Sequence, residues 1–193
     1  MGAEYELKYG ADAEILRSVY ATFPARWKTI QMETVYYDTP AGDLSARQWT
    51  LRKRLENDTY ICALKTPGDG NIRGEWEVEC DSIEAAISEL CKLGCPVELE
   101  QLCTDGLVNT CGARFTRKAG LFTLQECVME IALDEGVLLG GGKELPLCEL
   151  EVELKEGSRE AMDAFAVQIA EIYGLQPERK SKFARAIALY KEG

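Results

Sequence analysis

The stretch Glu4-Tyr5-Glu6-Leu7-Lys8, close to the N-terminus, decides how the rest of the chain is interpreted. In an extended strand, successive side chains point to opposite faces, so Glu4, Glu6 and Lys8 share one face while Tyr5 and Leu7 share the other. Same-face residues lie roughly 6.6 Å apart along a strand, a spacing at which two glutamates can hold one divalent cation. Taken alone, this pattern is more typical of the solvated face of an amphipathic edge strand.

The same alternation returns through most of the chain, and its polar positions are almost always charged. A solvated strand face usually mixes Thr and Ser with its charges. The charged positions are Arg52, Arg54, Lys65, Glu75, Glu77, Glu79, Glu130, Asp134, Glu149, Glu151, Glu153 and Lys155. Closing the strands into a barrel would turn all of these faces toward one tunnel and leave the apolar faces for helices outside.

Periodicity and turn signals predict about eight strands, a few helices and short, mostly antiparallel connections. The predicted strands after the first are 28–38, 49–56, 59–66, 73–80, 111–118, 121–133 and 146–155, with a turn at Lys118-Ala119-Gly120. Helices are predicted after Asp12, after Asp81-Ser82-Ile83-Glu84, over 97–104, from Ser158 to Tyr173 and near 180–190. We therefore expect one α+β domain over residues 1–193, an eight-stranded antiparallel closed β-barrel with a charged interior and helices packed outside.

Composition excludes several classes of function. The formal net charge of −11 argues against nonspecific binding to nucleic acid or to an anionic membrane. The absence of histidine excludes Ser-His-Asp and Cys-His catalysis and His-ligated zinc. The eight cysteines form no Cys-x-x-Cys pair, so we expect free thiols. Because no apolar run approaches the length of a bilayer span and no signal sequence is evident, we expect a cytoplasmic protein.

Seven motifs, in order from residue 4 to about residue 189, resemble those of the CYTH family of triphosphate tunnel metalloenzymes. They are Glu4-x-Glu6-x-Lys8, Tyr36-Tyr37-Asp38-Thr39-Pro40, Leu51-Arg52-x-Arg54, Leu64-Lys65-Thr66, Glu130-Ile131-Ala132-Leu133-Asp134-x-Gly136, Cys148-Glu149-Leu150-Glu151-Val152-Glu153-Leu154 and Ser181-Lys182. The resemblance implies an eight-stranded tunnel that binds a linear triphosphate end-on. It also implies hydrolysis of a phosphoanhydride with Mg²⁺ or Mn²⁺.

Carried over to the matching positions, the resemblance also implies roles for single residues. The implied metal ligands are Glu4, Glu6, Glu151 and Glu153, with Glu149 and Asp134 as helpers or ligands of a second ion. The implied phosphate-binding cations are Lys8, Arg52, Arg54, Lys65 and Lys182, together with Arg114 and Arg117. Of the whole set, Lys8, Arg52, Arg54 and Glu149 are the expected catalytic residues. Arg114 and Arg117 are three positions apart and would share a strand face only if a bulge separated them.

The family includes inorganic, thiamine and RNA 5′-triphosphatases and one class of adenylyl cyclases. The Tyr36–Pro40 and Glu130–Gly136 motifs look most like those of bacterial inorganic triphosphatases, so tripolyphosphate ranks first and nucleoside or thiamine triphosphate second. A cyclase is disfavoured, because the His-Phe pair that usually precedes the first motif is missing. A non-catalytic polyphosphate- or nucleotide-binding module would gain nothing from carboxylates that repel its ligand. We expect a small-molecule triphosphate as the partner, no nucleic acid or membrane, and a homodimer is compatible with the sequence.

Overall fold

The structure, a computed structural model, describes residues 2–68, 72–124 and 127–191, apart from the side chains of residues 2–4, 72 and 73. Within these ranges the strands are β1 (Gly2–Gly10), β2 (Lys28–Asp38), β3 (Thr50–Glu56), β4 (Thr59–Pro67), β5 (Ile72–Glu79), β6 (Val108–Leu124), β7 (Cys127–Gly140), β8 (Lys143–Glu156) and β9 (Gln176–Pro177). The helices are α1 (Ala13–Thr22), α2 (Asp43–Ala46), α3 (Ile83–Lys92), α4 (Glu98–Leu102), α5 (Arg159–Tyr173) and α6 (Lys182–Lys191). Across the described ranges, no helix is both long and apolar enough to span a membrane.

The prediction of an eight-stranded closed barrel is wrong. The described strands form one nine-stranded antiparallel sheet in the order β5-β4-β3-β2-β6-β7-β8-β1-β9. Strand β1 divides its pairing, with residues 2–5 opposite β5 and residues 6–10 opposite β8. No residue of β1 is paired to both β5 and β8, so the ladder of hydrogen bonds does not run continuously round a closed cylinder. The α+β class stands, and the sheet curls around a cavity without forming a regular barrel.

The turn predicted at Lys118-Ala119-Gly120 is also wrong. Strand β6 continues through these residues to Leu124 and pairs in regular register with β7. Gly120 instead allows β6 to lie close to the segment before β2, because a Cβ added at Gly120 would lie 2.8 Å from Cβ of Ala25. Glycine inside a strand therefore marks crowding here, a role that sequence alone does not separate from a turn.

Capping residues place most of the helices as predicted. Asp12 caps α1 by accepting a hydrogen bond from the Ile15 amide, and Ser158 caps α5, which ends at left-handed Gly174. The cap of α3 is Ser82, whose hydroxyl accepts from the Ala85 amide. Asp38 explains part of the motif around it, because its carboxylate accepts hydrogen bonds from backbone amides at the turn before α2 and in its first turn. That motif is thus in part a structural requirement.

Helix α6 overturns the expectation that the helices pack outside. Helices α1 and α5 pack on the outer face of the β1, β7 and β8 region, and α3 packs on the outer face of β4 and β5. Helix α6 lies on the inner face, where Phe183, Ala186 and Ile187 pack against Met32 and Leu138. One part of the interior is therefore apolar and filled by α6, and the remaining part is the charged cavity.

We predict that Gly136→Ala lowers the free energy of unfolding by about 1–3 kcal/mol, the usual cost of overpacking a well-packed site. A Cβ at Gly136 would overlap the Arg114 carbonyl oxygen and lie 2.5 Å from Cα of Phe115, and backbone cannot move aside as a side chain can. Gly10→Ala is the matched control, since the atom nearest to its added Cβ would be Gln176 O at 3.8 Å. Urea denaturation should leave this control within about 0.5 kcal/mol of wild type. Equal losses in the two variants would contradict the packing explanation.

Candidate functional site

A cavity of about 290 Å³ lies inside the curve of the sheet and is lined by the alternating charged positions of seven strands and by the start of α6. Among the described residues, seven cationic and seven carboxylate side chains line it. The cations are Lys8, Arg52, Arg54, Lys65, Arg117, Lys155 and Lys182, and the carboxylates are Glu6, Glu56, Glu75, Glu77, Glu130, Glu151 and Glu153. The two signs are balanced in number but not mixed evenly along the wall.

One side of the cavity is cationic. Arg52 and Arg54 on β3 and Lys65 on β4 point inward. Their strand neighbours Leu51 and Leu64 are buried in the outer core, and alternate residues of a strand face opposite sides. We call these three residues the cationic wall. Carboxylates of the neighbouring strand β5 pair with this wall. Glu75 lies 3.2 Å from both Arg52 and Lys65, and Glu77 lies 3.1 Å from Arg52 and 3.7 Å from Arg54.

Across the cavity, β1, β8 and β7 present a row of carboxylates. Glu6 is in register with Glu153, which is in register with Glu130. We call these three residues the outer acidic row. Two lysines contact the row: Lys8 lies 3.2 Å from Glu6, and Lys155 lies 2.8 Å from Glu153 and 3.9 Å from Glu130.

Deeper in the protein, three further carboxylates converge. Asp134 and Glu149 face each other in register on β7 and β8, and Glu151 is two residues further along β8 on the same face. One oxygen of each lies within 4.8 Å of the others, and all three residues are buried. We call these residues the inner acidic cluster. A grouping of this kind is chemically able to hold a hard metal ion.

Three cations already contact the inner acidic cluster. The Lys182 ammonium lies 2.8 Å from Asp134, 2.5 Å from Glu149 and 2.7 Å from Glu151. Arg117 makes two bonds of 2.7 Å to Asp134 and one of 2.5 Å to Glu151. Arg185 pairs with Glu149. The cluster is therefore balanced in charge by its own protein partners.

A comparison with known protein families identifies the kind of domain that carries this cavity. The CYTH domain model matches residues 2–187. The chain belongs to the CYTH domain family. The family assignment confirms the resemblance inferred from the motifs.

Relatives of this CYTH domain include a Haemophilus influenzae inorganic triphosphatase, which is 30% identical over 125 residues. That match covers 64% of this chain but 36% of the relative, so the chain spans little more than a third of the curated relative's length. A candidate adenylyl cyclase from Hippeastrum with a dominant triphosphatase activity is 18% identical, with a TM-score of 0.67 over 100% of this chain and 96% of the other. A Pyrococcus horikoshii protein is 23% identical, with a TM-score of 0.62 over 94% of this chain and 97% of the other. These two structural matches show a shared fold.

Burial and pairing shift the acidity of the inner acidic cluster of the CYTH domain in opposite directions. Burial alone would raise the pKa of Glu151, but Lys182 and Arg117 outweigh it and hold that pKa well below its ordinary value. Burial raises the pKa of Glu149 above its ordinary value, against the opposing effect of Lys182 and Arg185. The pKa of Lys182 is raised by the three carboxylates despite its burial, so the side chain stays an ammonium.

The predicted site residues of the CYTH domain do not all meet in the cavity. Asp134 and Glu149 lie in the inner acidic cluster behind the cavity lining, and the Glu4 side chain lies outside the described residues. Arg114 is 61% exposed on the outer face and pairs with Glu144 at 3.3 Å. Strand β6 has no bulge between residues 114 and 117, so only Arg117 points inward. The remaining predicted site residues line the cavity.

Sequence analysis missed some members of the site in the CYTH domain. Arg185 was overlooked, although its position three residues after Lys182 puts both on one helix face. Glu75 and Glu77 were recognised as alternating charges but not as partners of the cationic wall. Tyr36 was part of a motif, but no sequence feature indicated that it would line the cavity. Its ring packs against that of Phe183 in α6, with 5.1 Å between the ring centroids.

We predict that Glu151→Gln and Glu149→Gln change the pH dependence of stability in opposite ways, measured by urea unfolding in EDTA. A lowered pKa in the folded state adds stability above the unfolded pKa, about 4.3, and this stability is lost as pH falls. The destabilisation by Glu151→Gln, about 1–3 kcal/mol at pH 7, should therefore shrink below that pH. The raised pKa of Glu149 adds stability at low pH that is lost as pH rises, so the cost of Glu149→Gln should shrink toward neutral pH. The same trend in both variants would contradict these assignments.

Proposed function

We propose that this CYTH domain hydrolyses the terminal phosphoanhydride of a linear triphosphate, with inorganic tripolyphosphate as the first-ranked substrate and Mg²⁺ or Mn²⁺ as the cofactor. The observation that carries the proposal is the single cavity in which the cationic wall and the outer acidic row face each other. The cationic wall suits a polyanion, and the outer acidic row suits hard divalent cations. An anion-binding module needs only the cations, because unneutralised carboxylates repel the ligand.

The phosphate oxygens would be held by the cationic wall together with Lys8. The Arg54 side chain adds support, because its Nε atom is buried and has no hydrogen-bond partner among the described residues. A buried donor of this kind is usually satisfied by a ligand or by water. Glu75 and Glu77 hold the Arg52 guanidinium in place before a substrate arrives. Arg117 and Lys182 line the cavity too, but their donors already bind the inner acidic cluster.

The outer acidic row fits a hard divalent cation. Glu6 and Glu153 are adjacent across β1 and β8, and Glu130 is adjacent to Glu153, so these three carboxylates would hold the ion. Such an ion would supply neutralisation of the phosphate oxygens and a lowered pKa of a bound water. Glu4 is a further proposed ligand on grounds of sequence, two residues before Glu6 on β1.

The chain's own residues would do the rest of the chemistry without a protein nucleophile. Phosphoryl transfer depends mainly on in-line placement and on stabilising the charge that spreads over the oxygens. A water oxygen bonds to the terminal phosphorus, the bond to the bridging oxygen breaks, and pyrophosphate leaves while phosphate is released. The cationic wall would hold the leaving pyrophosphate. Glu149, expected to be catalytic, lies behind the cavity lining, and we assign it the role of positioning Lys182 and Arg185.

Two properties of the cavity favour a small inorganic substrate. A volume of about 290 Å³ is at the low end of ligand pockets, which run from about 300 to 1,000 Å³. Trp27, Trp49 and Trp76 pack against the outer cores, and none of the three lines the cavity in the described structure. The aromatic rings that do line it, Tyr36, Phe115 and Phe183, are packed into the inner apolar core. Tripolyphosphate needs neither the extra volume nor a stacking surface.

We predict rapid phosphate release from tripolyphosphate with Mg²⁺ or Mn²⁺, at least tenfold slower release from ATP and thiamine triphosphate, and none in EDTA. The tenfold difference corresponds to about 1.4 kcal/mol of transition-state stabilisation. Equal rates on all three substrates would show that the cavity volume does not determine substrate specificity. Binding of tripolyphosphate by the folded, metal-loaded protein without any release would refute the hydrolase and leave a polyphosphate-binding module.

We also predict that Glu153→Gln lowers kcat on tripolyphosphate at least a hundredfold at saturating Mg²⁺, since losing a metal ligand costs several kcal/mol and about 2.7 kcal/mol is a hundredfold. Glu144→Gln is the matched control: it is on the same strand, but its side chain is 58% exposed on the outer face. Its kcat should equal that of wild type. Near wild-type turnover in Glu153→Gln would remove the outer acidic row from the mechanism.

A further inference from the structure

We infer that the inner acidic cluster is a cation site whose permanent occupant is the side chain of Lys182, so that divalent metal is confined to the outer acidic row. The first part of this inference rests on the structure of the cluster alone. The second part rests on the proposed function.

Lys182 occupies the position that a metal ion would take. Its Nζ atom lies 2.5 to 2.8 Å from one oxygen of each of Asp134, Glu149 and Glu151. The ammonium donates a hydrogen bond to Glu151 and forms close ion pairs with Asp134 and Glu149. Mg²⁺ binds oxygens at 2.0 to 2.1 Å, so an ion shared by these three oxygens would have to lie where Nζ lies. Ion and ammonium exclude each other at this point.

The charge balance of the inner acidic cluster also opposes binding of a divalent cation. Three carboxylates are opposed by Lys182, Arg117 and Arg185, which contact them directly. Even with Glu178, which lies 3.7 Å from Arg185, a divalent ion added to this set would leave one positive charge in excess among side chains that are at most 25% exposed. An uncompensated charge in such surroundings is strongly unfavourable.

Helix α6 keeps Lys182 where it is. Lys182 and Arg185 both come from the first turn of α6, and Phe183 and Ile187 of the same helix pack against the inner apolar core. The helix also lies against β7 so closely that a Cβ at Gly140 would be 2.8 Å from the Tyr190 amide nitrogen. Withdrawing the ammonium would therefore require α6 to move. The positive end of the helix dipole is at this same turn and adds to the charge that α6 presents.

The outer acidic row differs at its Glu130 and Glu153 end. Among the described contacts, Lys8 pairs with Glu6, and Lys155 pairs with Glu130 and Glu153. Glu130 and Glu153 are 27% and 26% exposed, and Lys155 is 37% exposed and can swing into solvent. A divalent ion can enter beside Glu130 and Glu153 in place of the Lys155 ammonium, while Lys8, whose side chain is 8% exposed, stays against Glu6.

Counting bound Mn²⁺ by electron paramagnetic resonance of the free ion tests the inference without measuring activity. Removing the ammonium in Lys182→Met should open the inner acidic cluster, so this variant should bind one more Mn²⁺ per chain than wild type. Lys180→Met, an exposed lysine two residues earlier, is the control and should bind as wild type does. An unchanged count in Lys182→Met would overturn the inference.

Glu149→Gln locates the additional ion. In the Lys182→Met background it should remove the added Mn²⁺, whereas in the wild-type background it should leave the count unchanged. Loss of one Mn²⁺ from wild type on Glu149→Gln would show that metal, not Lys182, occupies the cluster, and this arm does not depend on the folding of Lys182→Met. The comparison uses differences in count, so a wild type that binds no Mn²⁺ would refute the outer metal site while the gain in Lys182→Met still supported the inner one.

Discussion

The pairing of opposite charges within a water-poor interior is the constraint on which the structure depends. Desolvating an ion is costly, and the cost is recovered only when a partner of opposite charge is close and well oriented. Every strand that turns a charged face inward must therefore meet a neighbour that supplies the complement. The cationic wall has Glu75 and Glu77, the outer acidic row has Lys8 and Lys155, and the inner acidic cluster has Lys182 and two arginines. Charge balance, more than apolar packing, fixes how these inner faces are arranged.

Helix α6 connects this constraint to the fold. An interior made only of charges would need water or ligand throughout, and a sheet that does not close would leave it open. The helix fills part of the space with apolar side chains and brings two cations to the end of that filling. The same inward positions of β7 and β8 change from Asp134 and Glu149 to Leu138 and Leu147 where α6 begins to cover them. The first turn of α6 therefore carries both the cations that pair with the inner acidic cluster and the start of the apolar packing.

That change in residue type shows how far sequence could predict the structure. Period-two alternation and capping residues predicted most strands and helices, because both act over a few neighbouring residues. The change from charged to leucine on one inward face is present in the sequence, but the expectation of a charged interior with all helices outside did not take it into account. Three features were out of reach. The divided pairing of β1 depends on register across the sheet. Gly120 is required by its close contact with a segment about 95 residues away in sequence. The partner of each charged side chain depends on which strands become neighbours.

The motif Glu149-x-Glu151-x-Glu153 shows why a shared face does not mean a shared role. The three carboxylates repeat every second residue of one strand, so alternation alone does not distinguish them, and the family resemblance implies only that Glu151 and Glu153 are metal ligands and Glu149 a helper or a ligand of a second ion. The strand runs from the buried cluster to the cavity wall, and each glutamate meets different neighbours: Lys182 and Arg185, then Lys182 and Arg117, then Lys155. Burial accordingly raises the pKa of Glu149, while two cations lower the pKa of Glu151. Because Glu153 is the one of the three beyond the reach of α6, the strand itself separates the cluster that holds the protein's own ammonium from the site that we propose for metal.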